Sequence, residues 1–171
     1  MNKVTFKILA CAILFSGFAV TASAQSSATA TATATIITPI TITKNTDMNF
    51  GNVAVQSTTG GTVVMVPAGT RSATGGVTLP GASGTVSAAS FTVNGETGYS
   101  YAITLPTSVV LTDPASHSMQ VEDFSSTPTA TGMLTGGTET INVGATLKVT
   151  AAQPAGVYTS ASPFTVTVNY N

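Results

Sequence analysis

Charge is what this chain has least of. Asp, Glu, Lys and Arg together make up 6% of its 171 residues, against a usual share of about 25%. It also has one histidine, one cysteine and no tryptophan. A single histidine excludes a multi-histidine metal site, and one cysteine excludes an internal disulfide. From Gln25 onward, Lys44, Arg71 and Lys148 stand against Asp47, Glu96, Asp113, Glu122, Asp123 and Glu139, a net charge of −3. That balance excludes the basic footprint of a nucleic-acid binder and a polybasic membrane patch. No apolar run reaches the roughly 20 residues of a membrane-spanning helix.

The longest apolar run, Ile8 to Val20, follows Lys3 and Lys7 and precedes Ala22-Ser23-Ala24. A basic region, a short apolar stretch and a small-x-small cleavage site predict a signal peptide over residues 1–24. Leu9-Ala10-Cys11 superficially fits a lipoprotein signal, but cleavage there would leave almost no apolar stretch before it. The mature chain, about 147 residues from Gln25, is then cysteine-free and expected in the periplasm, at the cell surface or outside the cell. Its length suits one domain without staples.

Threonine is abundant, about one residue in five. It is β-branched and fits a pleated, half-buried surface. Short alternating apolar and polar runs recur between turn residues, with no long amphipathic helix, and predict an all-β sandwich or barrel. Strands are expected at Ile40–Thr43, Met48–Val55, Thr62–Val66, Gly76–Leu79, Thr85–Val93, Tyr99–Leu105, Val109–Thr112, Met119–Phe124, Thr138–Val143, Thr146–Ala151 and Val157–Tyr170, the last breaking at Pro163. Thr59-Gly60-Gly61, Asn94-Gly95, Leu105-Pro106, Asp113-Pro114 and Gly136-Gly137 mark turns.

The two ends stand out. At the C-terminus Phe164, Val166, Val168 and Tyr170 alternate with Thr165, Thr167 and Asn169, giving a strand one fully apolar face. Such a face must be buried or paired. At the other end Ala28, Ala30, Ala32 and Ala34 alternate with threonines, and Ile36, Ile40 and Ile42 keep the phase. Ala28 to Ile42 would span about 50 Å as one strand, far beyond the usual 17–20 Å. Pro39 offers the dividing point. Residues 25–37 therefore read as an extended arm, and 38–171 as a single domain. A disordered or glycosylated Thr/Ala-rich stalk is the other reading of the arm.

The search for chemistry is nearly empty. Asp113, His117, Glu122 and Asp123 cluster at no metal-ligand or calcium-loop spacing. Gly98-Tyr99-Ser100-Tyr101-Ala102 faintly resembles a nucleophile elbow, yet its alternation continues as strand through Leu105. The carboxylates fall in or near expected turns, with no tryptophan as a sugar platform. The sequence thus predicts no enzyme, no metal and no cofactor.

Ile40-Thr41-Ile42-Thr43-Lys44-Asn45-Thr46-Asp47-Met48-Asn49-Phe50-Gly51-Asn52-Val53, Gly156-Val157-Tyr158 and the penultimate Tyr170 carry a resemblance. Together they resemble pilin-type subunits of the archaic chaperone–usher group, which includes spore coat U-like proteins. More closely still, Phe50-Gly51-Asn52-Val53 and the Thr-Val-Asn-Tyr ending look like a family of exported bacterial domains of unknown function. The resemblance implies an immunoglobulin-like, pilin-like β-sandwich short of one strand, completed by a neighbour's N-terminal arm. It implies that Ala28, Ala30, Ala32, Ala34 and Ile36 meet an acceptor face that includes Phe164, Val166, Val168 and Tyr170. Copies of the chain, related subunits or a periplasmic chaperone would be the partners. The chain lacks the cysteine that often follows the arm in spore coat U-like proteins, and its alanines are smaller than usual donor residues. A self-contained sandwich stays open as an alternative. So does a glycan-binding adhesin using Tyr99, Tyr158 and Phe124.

Overall fold

Alternation decides most of the fold: along the long strands Val, Ile, Phe or Leu recurs at every second position, and the chain pairs and turns that face inward. The structure is a computed structural model that describes residues 24–171. The expected signal peptide lies, except for its last residue, outside the described residues. The chain divides into two units, Met1–Thr35 and Ile36–Asn171. In the first unit the described residues, 24–35, are exposed and form no strand.

The second unit is all-β and antiparallel, with no helix among the described residues. Its strands are β1 (Thr41–Thr46), β2 (Ala54–Val55), β3 (Gly61–Met65), β4 (Arg71–Gly75), β5 (Val77–Thr78), β6 (Ala89–Asn94) and β7 (Ser100–Thr104). They continue as β8 (Ser108–Thr112), β9 (Ser118–Thr127), β10 (Thr131–Met133), β11 (Thr138–Val149), β12 (Thr159–Ser160) and β13 (Thr167–Tyr170). The large sheet runs β1-β6-β11-β9-β8-β12, with β3 and β4 branching from β11. A three-stranded sheet runs β10-β7-β13, and β2 pairs with β5.

β11 organises the large sheet. The sequence suggested two strands separated near Gly144; the structure makes one, because Ile141, Val143, Ala145, Leu147 and Val149 keep one inward phase throughout. Its first half pairs with β6 and its second half with β3. Gly144 sits at the change of neighbour, where a β-carbon would collide with the Met65 carbonyl. On the other edge, Asp123 and Phe124 of β9 stand opposite the single residue Ala145. This two-on-one bulge puts Asp123 at φ 51° and switches the inward phase from Val121 to Ser126.

Two apolar clusters result. The first joins β6 and the first half of β11 to Tyr101 and Ile103 of β7, Leu134, and Val166 and Val168. The second joins Phe50 and Val77 to β3, Val121 and the second half of β11. Met48 and Phe124 pack against both. The apolar face of the last segment is therefore buried within its own domain, contributing about 1.5–3 kcal/mol for each buried valine.

The expected Met48–Val55 strand is mostly irregular, with one bridge from Asn49 to Ser87 and a ladder only at Ala54–Val55. The expected Val157–Tyr170 strand is broken as Pro163 suggested, with residues 161–166 in no ladder. β4 and β10 have too few apolar residues to read as strands.

Candidate functional site

Two mostly irregular segments wall a cleft. Residues 46–55 continue from β1, and residues 153–164 lead towards β13. Between them, over the inner face of the large sheet, lies a cleft of about 1030 Å³. Ala89, Phe91, Met119, Val121, Leu147 and Val149 form its floor. Met48, Phe50, Val53 and Val55 line one wall, and Val157, Tyr158, Pro163 and Phe164 the other. The lining is mainly apolar, with Lys44, Asp47, Asn49 and Gln153 among its polar members. A smaller cavity of about 590 Å³ shares Val109, Pro163 and Phe164 with it and runs along Ser108–Val110 of β8. β9 pairs with that stretch of β8 on one edge, but no ladder covers its other edge, because β12 pairs only with Leu111 and Thr112.

Each wall is pinned by hydrogen bonds. Gly51 adopts φ 66°, where a β-carbon would collide with the Ser83 carbonyl, so this turn needs glycine. The Gly51 amide donates to Asn49 Oδ1 at 2.8 Å, and the Asn52 amide donates to the Ser83 carbonyl at 2.7 Å. The Arg71 guanidinium donates to the Phe50 carbonyl and, at 2.9 Å, to the Asn52 carbonyl. Phe50-Gly51-Asn52 is thus a buried ring followed by a clamped turn. On the opposite wall, Tyr158 Oη donates to the Pro154 carbonyl at 2.8 Å and accepts from Gln153 Nε2 at 3.0 Å.

The start and the end of the second unit meet at the other end of β1. The Thr38 amide and Oγ1 both donate to Glu96 Oε2, at 3.0 and 2.7 Å. The Glu96 amide donates to Tyr170 Oη at 2.6 Å, and that hydroxyl donates to the Thr38 carbonyl at 2.8 Å. The Tyr170 ring packs edge-on against Tyr99 at 5.7 Å. The Thr38 amide, helped by its hydroxyl, holds the Glu96 carboxyl below its ordinary pKa.

The sequence-predicted residues separate accordingly. Ala28, Ala30, Ala32 and Ala34 lie in the first unit, whose described residues form no strand, and Ile36 is 97% exposed. Phe164 lines the cleft and packs against Phe124 at 5.2 Å. Val166 and Val168 belong to the first cluster, and Tyr170 to the Thr38–Glu96 tie. Tyr158 and Phe124 share the cleft, whereas Tyr99 sits at the tie. In the sequence Arg71 stands out only as a charge, and Glu96 only as one of the carboxylates near turns. Arg71, the only arginine, was the available signal.

Elsewhere the side chains explain themselves locally. Ser100 opens β7, so no elbow forms there. Asp113 accepts from the His117 amide at 2.7 Å and lies 2.8 Å from its ring Nδ1; the ring contact lowers the Asp113 pKa. Tyr101, fully buried, donates to Glu139 at 2.8 Å, and Glu139 also accepts from the Met133 amide. No group of three or more His, Cys, Asp or Glu side chains able to hold a metal occurs among the described residues.

A family model described as domain of unknown function DUF4402 matches residues 40–170. No curated protein and no solved structure matches the chain.

Proposed function

The chain belongs to the DUF4402 family of domains of unknown function, and we propose that this member is a non-catalytic, exported structural subunit. It assembles by β-strand exchange into a pilus-like or cell-surface fibre. The observation that carries this reading is the apolar cleft between the run-out of β1 and the run-in to β13. The three-stranded sheet faces the first cluster, while irregular segments and the cleft face much of the second. On this reading the domain is an immunoglobulin-like sandwich whose second layer lacks one strand.

The arm of a second copy suits that position. Its alternation places Ala28, Ala30, Ala32, Ala34 and Ile36 on one face and threonines on the other. Burying four alanine methyls and one isoleucine contributes about 5–6 kcal/mol. That is comparable to the low end of the association cost, about 4–15 kcal/mol, so backbone pairing along the walls supplies the surplus. A periplasmic chaperone covering the same cleft before assembly fits this scheme.

Deleting Ser26–Thr35 is expected to leave a folded monomer. Oligomer sizes unchanged by that deletion, measured by analytical ultracentrifugation, refute strand exchange through the arm. The adhesin reading draws on Tyr158 and Phe124 sharing the cleft. A sugar-array signal that Tyr158→Ala abolishes favours it instead.

A further inference from the structure

The Thr38–Glu96–Tyr170 ring does more than join the two ends of the second unit. We propose that it anchors the root of the arm too far from the molecule's own cleft for the arm to fill it, and so reserves the arm for a second copy. This rests on the strand-exchange reading and gives it a device that keeps the molecule's own arm out of its cleft.

Three observations carry it. First, every polar group of Thr38 is held: its amide and hydroxyl by Glu96, its carbonyl by Tyr170. Pro39 fixes its own φ and keeps Thr38 extended. The chain cannot reverse there. Second, β1 pairs Thr41 with Asn94 and Thr46 with Ser90, so the root lies at the Asn94 end. The cleft lining begins at Lys44 and continues beyond Thr46. Third, Thr38 to Lys44 is six residues, roughly 20 Å of extended chain.

A self-inserting arm would have to reverse at Ile36 or Ile37 and run back along β1. It would reach Lys44 only at about Ala30. Ala32, Ala34 and Ile36 would be used up beside β1, outside the cleft, leaving Ala28 and Ala30 at its rim. The largest apolar residue of the arm would never enter. A neighbour's arm has no such limit.

Reach matters because intramolecular insertion otherwise wins. A short tether gives an effective concentration on the order of mM. At about 10 µM protein, an arm long enough to return should favour its own cleft roughly a hundredfold.

Inserting eight Gly/Ser residues between Ile36 and Ile37 tests this without touching the ring or interrupting the Ala28–Ile36 face. Sedimentation velocity at about 10 µM should show the monomer-to-oligomer ratio rising about a hundredfold. Glu96→Ala with Tyr170→Phe, at native arm length, removes both partners of Thr38 and should shift it in the same direction by less, provided circular dichroism shows the native fold. If that pair misfolds, the insertion still decides. An unchanged distribution in the insertion variant, while deletion of Ser26–Thr35 abolishes assembly, overturns the anchoring proposal alone. Assembly that survives the deletion overturns the exchange reading itself.

Discussion

Ile36 is 97% exposed, so Ile36→Ala removes almost nothing from the stability of the isolated domain. The same change is costly if Ile36 lies in a neighbour's cleft. It deletes three carbons, each contributing about 0.8 kcal/mol when buried, or about 2.4 kcal/mol in all. At 1.4 kcal/mol per tenfold, subunit association weakens about fiftyfold. The measurement is a pair: thermal melting of the variant, and sedimentation velocity over a concentration series. The expected outcome is an unshifted melting temperature for the monomer and a concentration dependence moved about fiftyfold. Because the two readouts are predicted to part, general destabilisation cannot imitate the result. Ile36→Ala that assembles like the parent chain refutes burial of Ile36 between subunits.

Arg71→Met removes the charge-assisted donors on the Phe50 and Asn52 carbonyls; urea unfolding should show a loss of about 2–3 kcal/mol, with faster amide exchange over residues 49–53. Tyr101 has its pKa raised by burial first and by Glu139 second. Its contribution is fully present below the ordinary value of 10.0 and is lost as pH rises towards the higher folded value. Absorbance titration should find one tyrosine ionising only on alkaline unfolding, and Tyr101→Phe should remove that component. Asp113 titrates in the opposite sense: its folded pKa is lowered from 3.8, so its contribution is present above that value and lost as pH falls through the folded one. Asp113→Asn should flatten the acid limb of a stability-against-pH curve, and an unaltered limb contradicts the His117 contact as its cause.

The strands with strict alternation were legible from the residues alone. β6 carries Ala89, Phe91 and Val93 inward, and β7 carries Tyr101 and Ile103, as a period of two requires. Met48–Val55 misled because apolar residues alternate there too. Gly51 in the left-handed region and the clamp from Arg71 hold that stretch as a wall rather than a ladder. β4 was invisible because Arg71-Ser72-Ala73-Thr74-Gly75 has almost no apolar content; it forms because β3 offers it a free edge. The cleft was invisible for a related reason. It is defined by two segments about a hundred residues apart, each unremarkable by itself.

The sequence by itself determined that this chain has few charges and an all-β domain, and that the apolar face of Phe164–Tyr170 had to be covered. Side-chain period and hydrophobicity are local properties, and they suffice for that. Only the tertiary structure decided what covers it: Val166 and Val168 face the β6–β11 layer, while Tyr170 turns its hydroxyl to Thr38 and Glu96. The place of the cleft was also decided there, because a gap between packed layers depends on which distant segments meet over the sheet, and no local pattern encodes that meeting.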